Sequence, residues 1–77
     1  MSKKVLVNGA CGRMGSEVVK TVVNDTKEKL VGVCDRINSG MNIMDLLSLK
    51  GEKLLIQDSL DETINTVNPD VIIDFTT

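Results

Sequence analysis

Val5-Leu6-Val7-Asn8-Gly9-Ala10-Cys11-Gly12-Arg13-Met14-Gly15 reads as a buried strand, a glycine turn and the start of a helix. Val5, Leu6 and Val7 have the composition of a strand covered on both faces, and three glycines spaced by three follow at once. Gly9 can take the backbone angles of a tight strand-to-helix turn. Gly12 removes the Cβ that would block a ligand, and Gly15 lets the new helix pack closely on its strand. The helix then begins with free N–H groups and the positive end of its dipole, which together favour a negative group such as a pyrophosphate. A glycine triplet alone is a weak signal, so its surroundings carry the argument. After a helix-period segment (Met14, Val18, Val19, Val22, Val23) a second apolar run, Leu30 to Cys34, ends in Asp35. That acid stands about twenty residues past Gly15, where a dinucleotide-binding βαβ unit needs a partner for the adenosine ribose hydroxyls.

The rest of the chain sets bounds. Seventy-seven residues with 42% apolar content make one small domain. A chain of this length buries only about 60% of its unfolded surface. A net charge of −2 and a single aromatic, Phe75, argue against a nucleic-acid partner, whether by phosphate attraction or by base stacking. No run approaches the roughly 20 apolar residues of a membrane span. Met-Ser-Lys-Lys leads directly into a strand and not into a signal-peptide core, so a cytoplasmic protein is expected. With no histidine and only Cys11 and Cys34, zinc sites and Cys/His catalysis drop out, and no metal is expected. Cys11 lies near a helix N-terminus, which can lower a thiol pKa, but a small side chain lining the turn is the simpler reading. Cys34, in a buried strand, is core.

The first helix is predicted from about Arg13 to Asn24, valine face on the sheet, with Glu17, Lys20 and Asp25 outward. Asn38-Ser39-Gly40 reads as loop, and a short helix is expected around Ile43 to Leu49. Leu54 to Gln57 is predicted as a third strand. Ser59-Leu60-Asp61-Glu62 has the form of a capping box opening a helix, which Asn68-Pro69-Asp70 stops. Val71 to Phe75 is a fourth strand with the apolar composition of a central one. The expected fold is therefore α/β, a Rossmann-type open parallel sheet in the order 3-2-1-4. In that order strands one and four are neighbours. Their carboxyl ends, Asn8-Gly9 and Phe75-Thr76-Thr77, flank the switch point at which open α/β sheets bind ligands.

At Gly9-Ala10-Cys11-Gly12-Arg13-Met14-Gly15, at Asp35-Arg36, and in the ending Val71-Ile72-Ile73-Asp74-Phe75-Thr76, the sequence resembles the N-terminal cofactor domain of the dihydrodipicolinate reductase (4-hydroxy-tetrahydrodipicolinate reductase) family. The resemblance spans essentially the whole chain. It implies an oxidoreductase of the diaminopimelate route to lysine, using NADH or NADPH to deliver hydride to a cyclic unsaturated dicarboxylate. It further implies that Gly9 through Met14 hold the pyrophosphate and that Asp35 and Arg36 face the adenosine ribose. An acid accepts hydrogen bonds from a 2′-hydroxyl but repels a 2′-phosphate, whereas an arginine can clamp that phosphate, so the pair implies tolerance of both cofactors.

The family's substrate domain, with its paired histidines and lysine, has no counterpart in the 77 residues. Residues 1–77 are therefore expected to be a partial Rossmann domain, the N-terminal part of a longer enzyme that usually forms an oligomer, with no catalytic residue of its own. Two other readings stand beside this one. A small non-catalytic module could sense a nucleotide through the same βαβ unit, and a bare α/β domain could pair its exposed fourth strand with a second copy. The resemblance yields one test: Arg36→Ala should raise the dissociation constant of NADPH more than that of NADH in paired titrations, and an equal effect on both would refute the assignment of Arg36.

Overall fold

The computed structural model describes residues 3–76. In chain order the elements are β1 (Lys3–Asn8), α1 (Arg13–Asn24), β2 (Glu28–Cys34), α2 (Ile43–Leu46), α3 (Leu60–Val67) and β3 (Val71–Asp74). β1 is the centre of a three-stranded parallel sheet of order β2-β1-β3. Its Val5, Leu6 and Val7 are all buried, as an apolar run covered on both faces requires. The two faces are covered by different helices. Val5, Val7 and Val33 meet Val19 and Val22 of α1, together with Ile43, Met44 and Ile56, in one cluster. On the opposite face Leu6 and Gly32 lie beneath α3, where a Cβ on Gly32 would stand 3.1 Å from Thr63 Cγ2. Helices on both faces of a parallel sheet are the doubly wound α/β arrangement.

A bulge makes this possible. Leu30 and Val33 are an odd number of residues apart, so a regular strand would point them to opposite faces. The pairing skips from Val5↔Leu30 to Leu6↔Gly32, which leaves Val31 as an extra residue and returns both side chains to the α1 face.

The third predicted strand is corrected. Leu54–Gln57 makes only two isolated bridges, parallel Cys34↔Gln57 and antiparallel Asn42↔Leu55. Most of its backbone groups are taken by the loop before α2. The Leu54 carbonyl accepts from Ile43 N at 2.9 Å, Ile56 N donates to the Met41 carbonyl at 2.8 Å, and the Ile56 carbonyl accepts from Gly40 N at 2.8 Å. Gln57 is left to reach β2, so the segment flanks that strand without extending the sheet, and the expected order 3-2-1-4 reduces to three strands.

Other boundaries follow from local chemistry. α2 ends at Leu46, short of the predicted Leu49, because Ser48 turns to a φ of 55° and Leu49 N closes on the Met44 carbonyl at 2.8 Å. Ser59 caps α3 by accepting from Glu62 N. Among the described residues no bond returns from Ser59 N to the Glu62 carboxylate, so half of the capping box forms. Asn68, at a φ of 48°, ends α3. β3 stops at Asp74, one residue before its predicted end, and as the sheet's edge it leaves Val71 and Ile72 exposed. Among the described residues no helix is long and apolar enough to cross a membrane.

Gly15 differs from its predicted role: it packs on the turn and not on the strand. A Cβ there would overlap the Gly9 carbonyl oxygen and lie 2.8 Å from its carbonyl carbon. Backbone cannot yield as a side-chain tip can. Gly15→Ala should therefore lower stability by about 3 kcal/mol in urea unfolding, although alanine is the better helix former. Gly32→Ala meets the side chains of Thr63 and Leu6 and no distant backbone, and should cost about 1 kcal/mol. Equal losses would refute the distinction.

Candidate functional site

The carboxyl ends of the three strands open onto one cleft of about 530 Å³. Asn8, Gly9 and Gly12 line its middle, Phe75 and Thr76 its β3 side, and Cys34, Asp35, Arg36, Asp58 and Leu60 its β2 side. Gly9, Gly12, Asp35, Arg36, Phe75 and Thr76, singled out in the sequence, thus meet around one space. The other sequence candidates lie elsewhere. Ala10 is buried in the core, Gly15 is buried against Gly9, and the exposed Arg13 and Met14 stand on the first turn of α1 outside the cleft lining. Thr77 lies outside the described residues. Asp58, Leu60 and Cys34 were missed. The signal for the first two was available, since the loop following residues 54–57 must emerge beside the end of β2 by the same crossover logic that brings β1 and β3 together.

The turn uses most of its own donors. Gly9 takes a φ of +82°, a conformation that favours glycine. Gly9 N and Ala10 N both donate to the Cys34 carbonyl, at 2.8 and 3.2 Å, and Gly12 N donates to the Gly9 carbonyl at 3.2 Å. Cys11 N donates to Asp35 Oδ2 at 2.9 Å. The next three N–H groups, of Arg13, Met14 and Gly15, have no partner among the described residues, and the Gly12 cap supplies no side-chain acceptor. An uncapped helix start with orphan donors is a seat for an anion. A Cβ built on Gly12 would find only the Gly9 carbonyl oxygen, at 3.5 Å, and otherwise open space. The residues present therefore fit a dinucleotide pyrophosphate: unpartnered donors at the start of α1, with open space at Gly12 for the group to approach.

Asp35 is held in place from three directions. Besides Cys11 N on Oδ2, its Oδ1 accepts from Ile37 N at 3.2 Å, and its own N donates to the Gln57 carbonyl at 2.9 Å. A carboxylate oxygen has two acceptor positions, so each still has one for an incoming hydroxyl. Arg36 is exposed and has no ion pair among the described residues. Cys11 does not have the environment of a reactive thiol. Burial pushes its pKa up and the nearby Asp35 charge adds to that, against an opposing hydrogen bond from Asn38.

On the other side, β3 is fastened to β1. Phe75 N donates to the Asn8 carbonyl at 3.0 Å and Asn8 Nδ2 to Asp74 Oδ1 at 3.3 Å. The same Asp74 oxygen accepts from Thr76 Oγ1 at 2.6 Å and from Thr76 N at 2.8 Å. These donors favour the charged form, with Thr76 contributing most, and hold the Asp74 carboxyl below its ordinary value.

Comparison with known proteins places this geometry. The family model described as dihydrodipicolinate reductase, N-terminus, matches residues 3–77. A 4-hydroxy-tetrahydrodipicolinate reductase of Syntrophomonas wolfei is 34% identical over 73 residues, covering 95% of this chain and 27% of that protein. One of Methanococcus aeolicus is 39% identical over 79 residues, again 95% of this chain and 29% of that protein. The solved dipicolinate-bound dihydrodipicolinate reductase of Paenisporosarcina sp. TG-14 superposes with a TM-score of 0.75 at 32% identity, covering 100% of this chain and 29% of that one. The chain thus spans less than a third of the length of each of these relatives.

The Asp74 arrangement has a pH signature. Its carboxylate accepts the Thr76 donors, so the order it gives is complete above the ordinary carboxylate value of about 4 and is lost as pH falls through the lower folded value. In an NMR titration the Asp74 carboxyl carbon should have its midpoint below that of the urea-unfolded chain, and the Thr76 amide should shift with it. A midpoint at or above the unfolded one would refute the arrangement.

Proposed function

The chain belongs to the dihydrodipicolinate reductase family, and from that premise we propose that it forms the dinucleotide-holding part of an NAD(P)H-dependent 4-hydroxy-tetrahydrodipicolinate reductase. Such an enzyme acts in the diaminopimelate route to lysine. In this reading residues 1–77 are a partial Rossmann domain, and the groups that bind the dicarboxylate substrate and protonate it lie outside these residues. The chain alone then binds a cofactor without turning over. The parent enzyme is a cytoplasmic homo-oligomer.

The observation that carries the proposal is the run of three orphan N–H groups at Arg13, Met14 and Gly15, which opens α1 directly after the unobstructed Gly12. They take the pyrophosphate, aided by the dipole of α1. Gly9 through Cys11 contribute by holding the turn's shape, since their own N–H groups are already bonded. Asp35 accepts the hydroxyls of the adenosine ribose, and Arg36 lies at the same end. Phe75 and Thr76 face the nicotinamide end at the switch point between β1 and β3. NADH or NADPH, when bound, supplies the hydride. What this chain's residues do is hold and orient that dinucleotide at the carboxyl edge of the sheet.

Gly12→Ala separates binding from folding. The added Cβ meets only ordinary contact and the backbone φ of −74° suits any residue, so the urea midpoint should stay near that of the unsubstituted chain. The methyl nevertheless occupies the approach to the orphan donors, so NADH affinity measured by nucleotide fluorescence should fall about tenfold, equivalent to about 1.4 kcal/mol. Unchanged affinity would overturn the pyrophosphate assignment.

A further inference from the structure

We infer that Asp58 sets the cofactor preference of the cleft: its carboxylate stands at the adenosine end and turns that end against a ribose 2′-phosphate, so that the chain favours NADH over NADPH. This rests on the dinucleotide reading above and goes beyond it, because Asp35 and Arg36 alone leave the two cofactors level.

Asp58 reaches the cleft through the segment that flanks β2. Gln57 N donates to the Val33 carbonyl at 2.9 Å, and the Gln57 carbonyl accepts from Asp35 N at 2.9 Å. These two bonds clamp the residue before Asp58 to the end of β2, so the backbone that carries Asp58 is fixed to the backbone that carries Asp35. The charged residues lining the cleft are Asp35, Asp58 and Arg36, two carboxylates against one guanidinium, which leaves a net charge of −1. Without Asp58 the balance is zero.

The two acids are not equivalent. Asp35 already accepts Cys11 N and Ile37 N, whereas the exposed Asp58 carboxylate accepts no hydrogen bond among the described residues. Its charge is uncompensated by any fixed donor among the described residues, and it shares the cleft lining with Asp35 and Cys34. A 2′-phosphate brings a further charge of about −1.5 to −2 at neutral pH to this end, whereas a 2′-hydroxyl brings a donor that a carboxylate can accept. Repulsion across several ångströms near a protein surface is enough for a preference of about fivefold.

The test is a titration of the full 77-residue chain and its Asp58→Asn and Asp58→Ser variants with NADH and with NADPH, at low salt and at about 0.5 M salt. The unsubstituted chain should bind NADH about fivefold more tightly at low salt, the ratio should narrow at high salt, and both variants should bring it close to one. Binding of both cofactors with a ratio that neither variant moves, or a preference of the unsubstituted chain for NADPH, overturns the role of Asp58 and leaves the dinucleotide reading standing. No binding of either cofactor to the unsubstituted chain overturns that reading itself, and the role of Asp58 with it.

Discussion

The contact on which the rest depends is the one between Gly15 and the Gly9 carbonyl. α1 can leave the turn at its observed angle only because position 15 has no Cβ, since any would overlap that carbonyl oxygen. This approach brings the first turn of α1 down against the end of β1 and leaves its first three N–H groups without partners among the described residues. The valine face of α1 then falls on Val5, Val7 and Val33, so one backbone contact sets both the packing of a sheet face and the position of those unpartnered donors.

Around that contact the structure uses carboxylates as fasteners for backbone. Asp35 joins the turn to the end of β2 through Cys11 N and Ile37 N, and Asp74 joins the end of β3 to its own loop through Thr76. A carboxylate makes stronger hydrogen bonds than a neutral acceptor, and both acids sit where the chain leaves a strand and would otherwise be loose. Of the two, Asp35 lines the cleft and so also gives it charge. Asp58 differs because its backbone is positioned by the bonds of Gln57 while its carboxylate is unspent, and a free charge in a cleft acts on ligands.

Much of the architecture was legible because it rests on local rules. α1 runs from Arg13 to Asn24 as its valine period required, Ser59 caps α3, and Cys34 is buried. The family, too, was legible, in Gly12-Arg13-Met14-Gly15 and in Asp74-Phe75-Thr76. What failed were segments whose backbone had a choice of partners. Leu54–Gln57 has strand-like residues, yet its hydrogen bonds go mainly to the loop at residues 40–43, and no pattern of side chains records that competition. α2 ended early for a similar reason, a left-handed Ser48 with no glycine to announce it.

By itself the sequence determined the parallel α/β order, the glycine turn and the acid at the end of β2, because strand composition, helix period and the angles open to glycine are properties of short stretches of chain. Tertiary structure alone decided which groups face the cleft together. It buried Ala10 in the core, packed Gly15 against Gly9, spent the N–H groups of Gly9, Ala10 and Cys11 within the turn, and brought Asp58 in beside Asp35. The reason is physical: a donor's availability and a charge's neighbours depend on which distant backbone groups have already been satisfied. That is settled only when the strands and their loops are assembled.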